Sequence, residues 1–262
     1  MSEISTIYGP VLSWRVGLSL GVDLILETSV CSFNCIYCQL GKIQRITNER
    51  KLFVPTDRIL RDFCASRWRE ADIITYSGSG EPTLAMNLGE CAREIGKIAS
   101  IPQLTLTNGT LLDHPAVMED LRVMDKVFVK LDAGEEEMFQ RINRPVKGIS
   151  LAKIIENIRI FRQKYDGYFG IQIMFLPANL SQRERLAQIL LEIQPDEAQL
   201  NTPKRPYPKH WHVSSRGGHN EELREYDSVP LRTISVEEAH SVEDYLRRET
   251  GLKIVSVYKH CG

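Results

Sequence analysis

The chain has no apolar run near the roughly 20 residues needed to cross a bilayer. Its start, MSEISTIYGP, has neither the basic opening nor the apolar stretch of a secretion signal. Both absences point to the cytoplasm. Excess charge is missing too. With 33 Lys and Arg against 34 Asp and Glu, the formal net charge is -1, so no global field draws the protein to nucleic acid or anionic lipid. Cysteine is scarce, at six residues. In a reducing compartment these are thiols or metal ligands rather than disulfides. There is no internal repeat and no low-complexity tract.

What is present suits one large domain, or one domain with an appendage. The 262 residues are 42% hydrophobic and 26% charged, enough to bury a real core. Short β-branched runs at Val22–Leu26, Asp72–Tyr76, Gln103–Thr107, Lys126–Leu131, Tyr168–Phe175 and Glu197–Leu200 predict strands. Amphipathic stretches at Thr56–Glu70, Leu88–Ala99, His114–Leu121, Ser150–Tyr165 and Ser181–Ile193 predict helices, with Thr56, Ser150 and Ser181 placed to cap them. This alternation implies a parallel sheet with right-handed crossovers, an α/β fold. Six units are too few for a closed eight-stranded barrel and fit a partial (β/α)6 barrel. A helix at Val236–Glu249 and a strand at Lys253–Val257 form a C-terminal appendage. The expected division is residues 1–200 as the core with an N-terminal extension, and 201–262 as a loop-rich appendage packed on it. Within the latter, Asn201–Tyr226 reads as a long loop rich in Pro, Gly and basic residues.

In such folds chemistry gathers beyond the strand C-termini. There stand CSFNCIYC (Cys31–Cys38), SGSGEPT (Ser77–Thr83), Asn108-Gly109-Thr110, and Lys130 with Asp132. Three of the six cysteines lie within eight residues, spaced C-x3-C-x2-C. A structural zinc site takes four ligands, usually as two pairs, and no second pair is near. Three thiolates suit a [4Fe-4S] cluster in which Cys31, Cys35 and Cys38 each hold one iron and the fourth stays open to a small molecule. Zinc binding or unligated thiols are the bland alternatives.

This spacing, with Tyr37 before the last thiol and the motif after the first strand, resembles the radical S-adenosylmethionine superfamily. The resemblance implies a radical-SAM barrel and two cofactors, the [4Fe-4S] cluster and S-adenosylmethionine. It also implies reductive cleavage to methionine and a 5′-deoxyadenosyl radical that abstracts a substrate hydrogen. It needs an external electron donor of flavodoxin or ferredoxin type. Ser79-Gly80-Glu81 stands where the superfamily has glycine-glycine-glutamate, and the Gly80 carbonyl and Glu81 carboxylate are placed to accept from the methionine ammonium. Backbone near Tyr37 would line the adenine pocket.

Further cofactor contacts are expected from Asn108, from Asp132 on the ribose hydroxyls, from Arg144 on the methionine carboxylate, and from Gln172 and Met174 on adenine. Lys130 is a candidate to meet a carboxylate. Each has a structural alternative: an Asn-Gly turn, a Lys130–Asp132 salt bridge, a solvated arginine, plain core packing. Cys64 and Cys91, beside apolar helix residues, read as buried structural thiols. Cys261, in the terminal YKHCG, is a candidate hydrogen donor, auxiliary metal ligand or substrate anchor.

The segments IYGPVLSWRVGLSLGVDLILETSVCSFNCIYCQLGK, SGSGEPTL, TLTNGTLL, VFVKLDAGEEEMFQRINRP and LNTPKRP are similar to the wyosine-synthase-related group, which modifies guanosine in tRNA. No cysteine precedes Cys31, where the archaeal members carry ligands for a second cluster, so the chain resembles a single-cluster relative. Two stretches favour tRNA or another RNA as partner: KIQRITNERK, and PKRPYPKHWHVSSR with Tyr207 and Trp211 interleaved. The alternatives are a radical enzyme acting on a small metabolite or a polypeptide, and a non-catalytic iron–sulfur module.

Overall fold

The computed structural model describes residues 4–217 and 226–258. Twelve strands are assigned among them: β1 Ile7–Ser13, β2 Gly17–Val22, β3 Val30–Cys31, β4 Arg45–Ile46, β5 Ile73–Tyr76, β6 Gln103–Thr107, β7 Lys126–Lys130, β8 Tyr168–Met174, β9 Glu197–Asn201, β10 Tyr207–Pro208, β11 Ser228–Val229 and β12 Ile254–Ser256. The helices are α1 Thr56–Ala65, α2 Leu88–Ile98, α3 Pro115–Leu121, α4 Glu136–Ile142, α5 Leu151–Arg162, α6 Arg183–Ile193 and α7 Val236–Thr250. Eight strands form one curled half-barrel sheet in the order β1-β2-β5-β6-β7-β8-β9-β12. From β2 to β12 every neighbour is parallel; β1 alone runs antiparallel, paired with β2.

The local chemistry explains most of this order. All four residues of β5, IITY, are buried, as a strand covered on both faces requires. The Ser150 hydroxyl accepts from the Lys153 amide and starts α5, whose Leu151, Ile154, Ile158 and Phe161 form one buried stripe. In α7, Ser235 and Glu238 make a reciprocal capping box, and Gly251, at φ +66°, ends the helix in the left-handed conformation that glycine tolerates best. The α7–β12 unit carries on the parallel order, with β12 alongside β9.

Several expected boundaries move. The first parallel strand is Gly17–Val22 rather than Val22–Leu26. Asp23 breaks it, because its Oδ1 accepts from the amides of Ile25 (3.0 Å) and Leu26 (3.1 Å) and turns the chain, leaving Leu26 at φ +69°. The hairpin partner β1 has no counterpart in the sequence reading. The helix expected over Thr56–Glu70 breaks at Ser66, whose hydroxyl donates to the Phe63 carbonyl at 2.7 Å, and a separate turn covers Trp68–Glu70. Pro55 takes the cap position expected for Thr56, and the Thr56 hydroxyl instead accepts from Asn87 Nδ2 at 3.1 Å. A 3-10 turn over Leu180–Gln182 occupies the expected start of α6, so Ser181 is no cap. Helix α4 was not expected. Cys91 is buried as foreseen, but Cys64 is exposed, because α1 turns its Ile59 and Phe63 inward. No helix among the described residues is long and apolar enough to cross a membrane.

Candidate cluster and cofactor site

The loop carrying the three thiols leaves β3 at the C-terminal rim of the half-barrel and is braced on both sides. On one side the Val30 amide donates to the Ser79 carbonyl (2.9 Å) and the Glu81 amide to the Val30 carbonyl (3.0 Å). This approach requires glycine at position 80, where a Cβ would lie 1.6 Å from the Val30 carbonyl oxygen. On the other side the Asn34 amide donates to the Asn143 carbonyl (2.9 Å) and the Ile36 amide to the Ile142 carbonyl (2.9 Å), docking the loop on the end of α4. Beneath it, β4 pairs with β3, and the Thr47 amide donates to the Cys31 carbonyl at 3.0 Å.

Two asparagines meet the sulfurs. Asn108 Nδ2 donates to Cys31 Sγ at 3.5 Å and to Ser32 Oγ at 2.8 Å. Asn143 Nδ2 donates to Cys35 Sγ at 3.5 Å and to Asp132 Oδ2 at 2.7 Å. Burial, then the negative charges of Glu81 and the neighbouring thiols, pushes the Cys31 thiol up. Burial first, and Asp132 next, pushes Cys35 up to about 12. Burial also takes Cys38 to about 11, against a bond from the Leu40 backbone and the Lys130 charge. Such thiols become thiolates at neutral pH only beside strong positive charge, which a metal centre supplies. The donor set fits a cluster: three thiols share one loop, and iron–sulfur clusters are held by cysteine thiolates. Asn143 Oδ1 is buried without a partner among the described residues, an acceptor left over for a bound group.

The carboxylates at the rim are engaged by protein. Glu81, 2% exposed, accepts from the Thr83 amide and hydroxyl, the Thr107 hydroxyl (2.7 Å) and the Asn108 amide (2.7 Å), tying the end of β5 to that of β6. Its carboxyl still sits above its ordinary value, because burial outweighs those bonds. Asp132 accepts from Tyr37 Oη, Asn143 Nδ2 and the Met174 amide (2.7 Å), and pairs with Lys130 Nζ at 3.0 Å. The salt bridge weighed as the structural alternative for Lys130 is therefore present, and the Lys130 ammonium also lies 5.3 Å from the Tyr37 ring centroid. Ser79 is fully buried and donates to Asp23 Oδ2 at 2.5 Å.

The other expected contacts divide. Gln172 is buried and donates to Gln199 at 2.8 Å, while Met174 is half-buried. Arg144 is exposed at φ +46°; its neighbour Asn143 turns inward. Cys261 lies outside the described residues. The two basic stretches are partly internal. Arg50 donates to the Thr83 and Ala85 carbonyls and pairs with Asp120. Arg216 pairs with Asp23 at 2.8 Å, the two side chains 7% and 1% exposed, and lies 5.3 Å from the Tyr8 ring centroid. Arg205 donates to Gln39 Oε1.

Sequence reasoning missed Asp23, Ser32, Thr107 and Asn143. All four stood in quoted segments, where the neighbouring cysteines, Asn108 and Arg144 drew attention instead.

The superfamily model for radical SAM proteins matches residues 25–190, spanning the thiol loop and the strands from β5 to β8. The chain belongs to the radical SAM superfamily. It is a radical SAM enzyme, and members of this superfamily use a [4Fe-4S] cluster with S-adenosylmethionine. It is 42% identical over 246 residues to the UPF0026 protein slr1464 of Synechocystis sp., covering 94% of this chain and 92% of that one. Two solved structures share the fold. TYW1 with a lysine–pyruvate adduct bound matches 92% of this chain and 77% of that one, at TM-score 0.65 and 16% identity. Streptococcus suis SuiB bound to S-adenosylmethionine matches 90% and 50%, at TM-score 0.61 and 14% identity.

Proposed function

We propose that Cys31, Cys35 and Cys38 hold the cluster, and that the enzyme abstracts a hydrogen atom from a substrate seated in the half-barrel. The observation that carries this reading is the pair of amide donors, Asn108 and Asn143, aimed at two of three thiols on one rim loop. When bound, the cluster supplies the electron that splits the sulfonium C–S bond of S-adenosylmethionine, which yields methionine and the hydrogen-abstracting 5′-deoxyadenosyl radical. The protein's own work is positioning. Gly80 keeps the β5 loop against Val30 and leaves its carbonyl to the methionine ammonium, with Asn143 Oδ1 as a second acceptor. Glu81 and Asp132 fix the rim through their hydrogen bonds, and Asp132 holds Tyr37 and Lys130 in place beside the thiols. Gln172 and Met174 lie on the strand expected to meet adenine. The reductant is external, of flavodoxin or ferredoxin type.

A second reading makes an RNA base the substrate. It is favoured by Lys42, Arg45, Lys204 and Lys209, exposed on the segments that follow the thiols and β9, with Tyr207 and Trp211 half-buried among them. If it holds, tRNA affinity falls steeply with added salt. An affinity indifferent to salt removes the reading in favour of a metabolite or polypeptide substrate.

The deciding assay is 5′-deoxyadenosine formation by anaerobically reconstituted protein with dithionite and S-adenosylmethionine, alone and with bulk tRNA. Wild type is expected to form it and Cys35→Ala to form none. A cluster-loaded wild type that forms none under either condition overturns the proposal and leaves an iron–sulfur module.

A further inference from the structure

Strand β4 is the outer edge of the thiol loop. It pairs with β3 in a two-stranded sheet, and the opposite edge of β3 is taken by the β5 loop through the bonds between Val30, Ser79 and Glu81. Ile46 stands opposite Cys31 in that parallel ladder. Registered residues lie about 4.8 Å apart and point to the same face, so Ile46 lies alongside a thiol. It is nevertheless 42% exposed. The Thr47 amide, next in sequence, donates to the Cys31 carbonyl at 3.0 Å, a short hydrogen-bonded path from the surface to the thiol-bearing residue.

The chain then runs on to Lys51 and Leu52. There the Lys51 amide donates to the Leu84 carbonyl (2.8 Å) and the Met86 amide to the Lys51 carbonyl (3.0 Å). Leu52 and Met86 are 55% and 59% exposed. The segment from Ile46 thus leaves three large apolar side chains in water, a mark of contact surfaces when they gather. The exposed charges among residues 42–52 are Lys42, Arg45 and Lys51 against Glu49. Arg45 lies 3.9 Å from Glu49, but the two side chains are 46% and 79% exposed, so the contact does little to quench the positive field.

Two observations narrow the occupant. The cavity inside the half-barrel, which Tyr8, Ser77 and Gln172 help to line, takes no described residue from 42–52. A molecule seated on this edge therefore meets the thiol loop and not the reacting space. Residues 42–52 also hold no Phe, Tyr or Trp, so they offer splayed bases no platform for stacking.

We infer that the electron enters here, and that the β4 edge docks a small electron-carrier protein whose redox group is ringed by acidic side chains. Ile46 is the central contact, with Lys42, Arg45 and Lys51 around it. The inference rests on the proposed function, in which Cys31 holds the cluster and the reductant is external. Opposite charges steer the carrier to the edge and fix its orientation, while the apolar side chains exclude water at the contact. Residues 46–52 reach at most about 21 Å when extended, within the roughly 800 Å² that one partner of a standard interface covers. The step is a single outer-sphere transfer: the carrier loses one electron, the cluster gains it, and no bond forms or breaks.

The test compares two reductants of the cluster-loaded protein. Dithionite needs no docking; reduced flavodoxin does. Cluster reduction is followed by stopped-flow loss of visible absorbance. With flavodoxin, the wild-type rate is expected to fall at least about tenfold from low to high salt. Lys51→Glu is expected to be about fivefold slower than wild type at low salt and to match it at high salt. Ile46→Ser is expected to be slower at both. Dithionite should reduce all three proteins equally fast. A wild-type flavodoxin rate indifferent to salt, or variants that keep the wild-type flavodoxin rate, overturns the inference. Variants slowed equally with dithionite overturn it too, since the effect then lies in the cluster itself. So does a Lys51→Glu protein that loses tRNA affinity with its flavodoxin rate unchanged, a result that gives the edge to RNA. Wild-type 5′-deoxyadenosine formation with dithionite is measured separately. Flavodoxin-specific slowing without 5′-deoxyadenosine sinks the radical reading and spares the docking edge; 5′-deoxyadenosine with unaltered flavodoxin rates in the variants does the reverse.

Discussion

Asn143 is the residue on which three parts of the rim converge. One amide group reaches the Cys35 sulfur and Asp132, and the Asn143 carbonyl receives the Asn34 amide of the thiol loop. Asn143→Ala leaves Asp132 one donor short at a buried site, at a cost of about 1–3 kcal/mol. It also withdraws a hydrogen bond from the Cys35 sulfur, a proposed cluster ligand, and such bonds favour the more negative, reduced state. The expected result is a folded protein whose cluster is reduced at a more negative potential, read by redox titration with electron paramagnetic resonance. An unchanged potential would confine Asn143 to scaffolding. At this scale the thiol loop was legible, because the cysteine spacing stands out in the sequence itself. Asn143 and Asp23 were not, since a side chain that serves through contacts 11 or 56 positions away leaves no local pattern. Arg144 shows the converse: a charged residue attracts a functional reading, while the backbone turns it to solvent.

Among the elements, the parallel strands were legible from their β-branched runs, and the long helices from their buried stripes. The misses have physical causes. β2, GLSLGV, is weakened by glycine and serine, so its pattern was overshadowed by the more apolar VDLIL just after it. The seven residues of α4 are too few to establish a helical period. Strand β12, only three residues long, is tied to β9 by a charged contact as well as by its ladder. Glu197 pairs with Lys253 at 2.8 Å and accepts from Tyr168 at 2.7 Å. Burial would raise the Glu197 carboxyl, but the Lys253 ammonium and the Tyr168 and Gln199 donors outweigh it and hold it below its ordinary value of 4.5. A carboxyl depressed in the folded state stabilises above its unfolded value, and that contribution is lost as pH falls through the folded one. Lys253 is largely exposed, so the contact is worth roughly 0.2–1 kcal/mol. Thermal melts below pH 4.5 should fall more steeply for wild type than for Glu197→Gln. Parallel curves would show that the contact contributes nothing.

For the molecule as a whole, the Asp23–Arg216 pair joins the start of the barrel to the segment beyond its sixth parallel strand. Asp23 also receives the Ser79 hydroxyl, so one buried carboxylate links β2, the β5 loop and the later chain. Removing one partner of a buried pair leaves an uncompensated charge. Arg216→Met should therefore cost about 3–5 kcal/mol, a Tm fall of roughly 10 °C. Combining it with Asp23→Asn should recover part of the loss, because an asparagine Oδ1 still accepts from Ile25 and Leu26. A single variant as stable as wild type would show that the pair does not hold the segment. Sequence reading placed Arg216 in a basic, RNA-facing loop. Composition reports how many charges a loop carries, and only the folded chain decides which of them turn inward.

The same pair bears on the order in which the protein is made. Its partners stand 193 positions apart, so the contact waits for most of the chain to leave the ribosome. Closing so long a loop is entropically slow and comes late in folding. During synthesis the nascent barrel therefore carries its thiol loop and its buried carboxylate before the strap that pairs with Asp23 exists. Until Arg216 arrives, Asp23 is held by the Ser79 hydroxyl and the amides of its own turn.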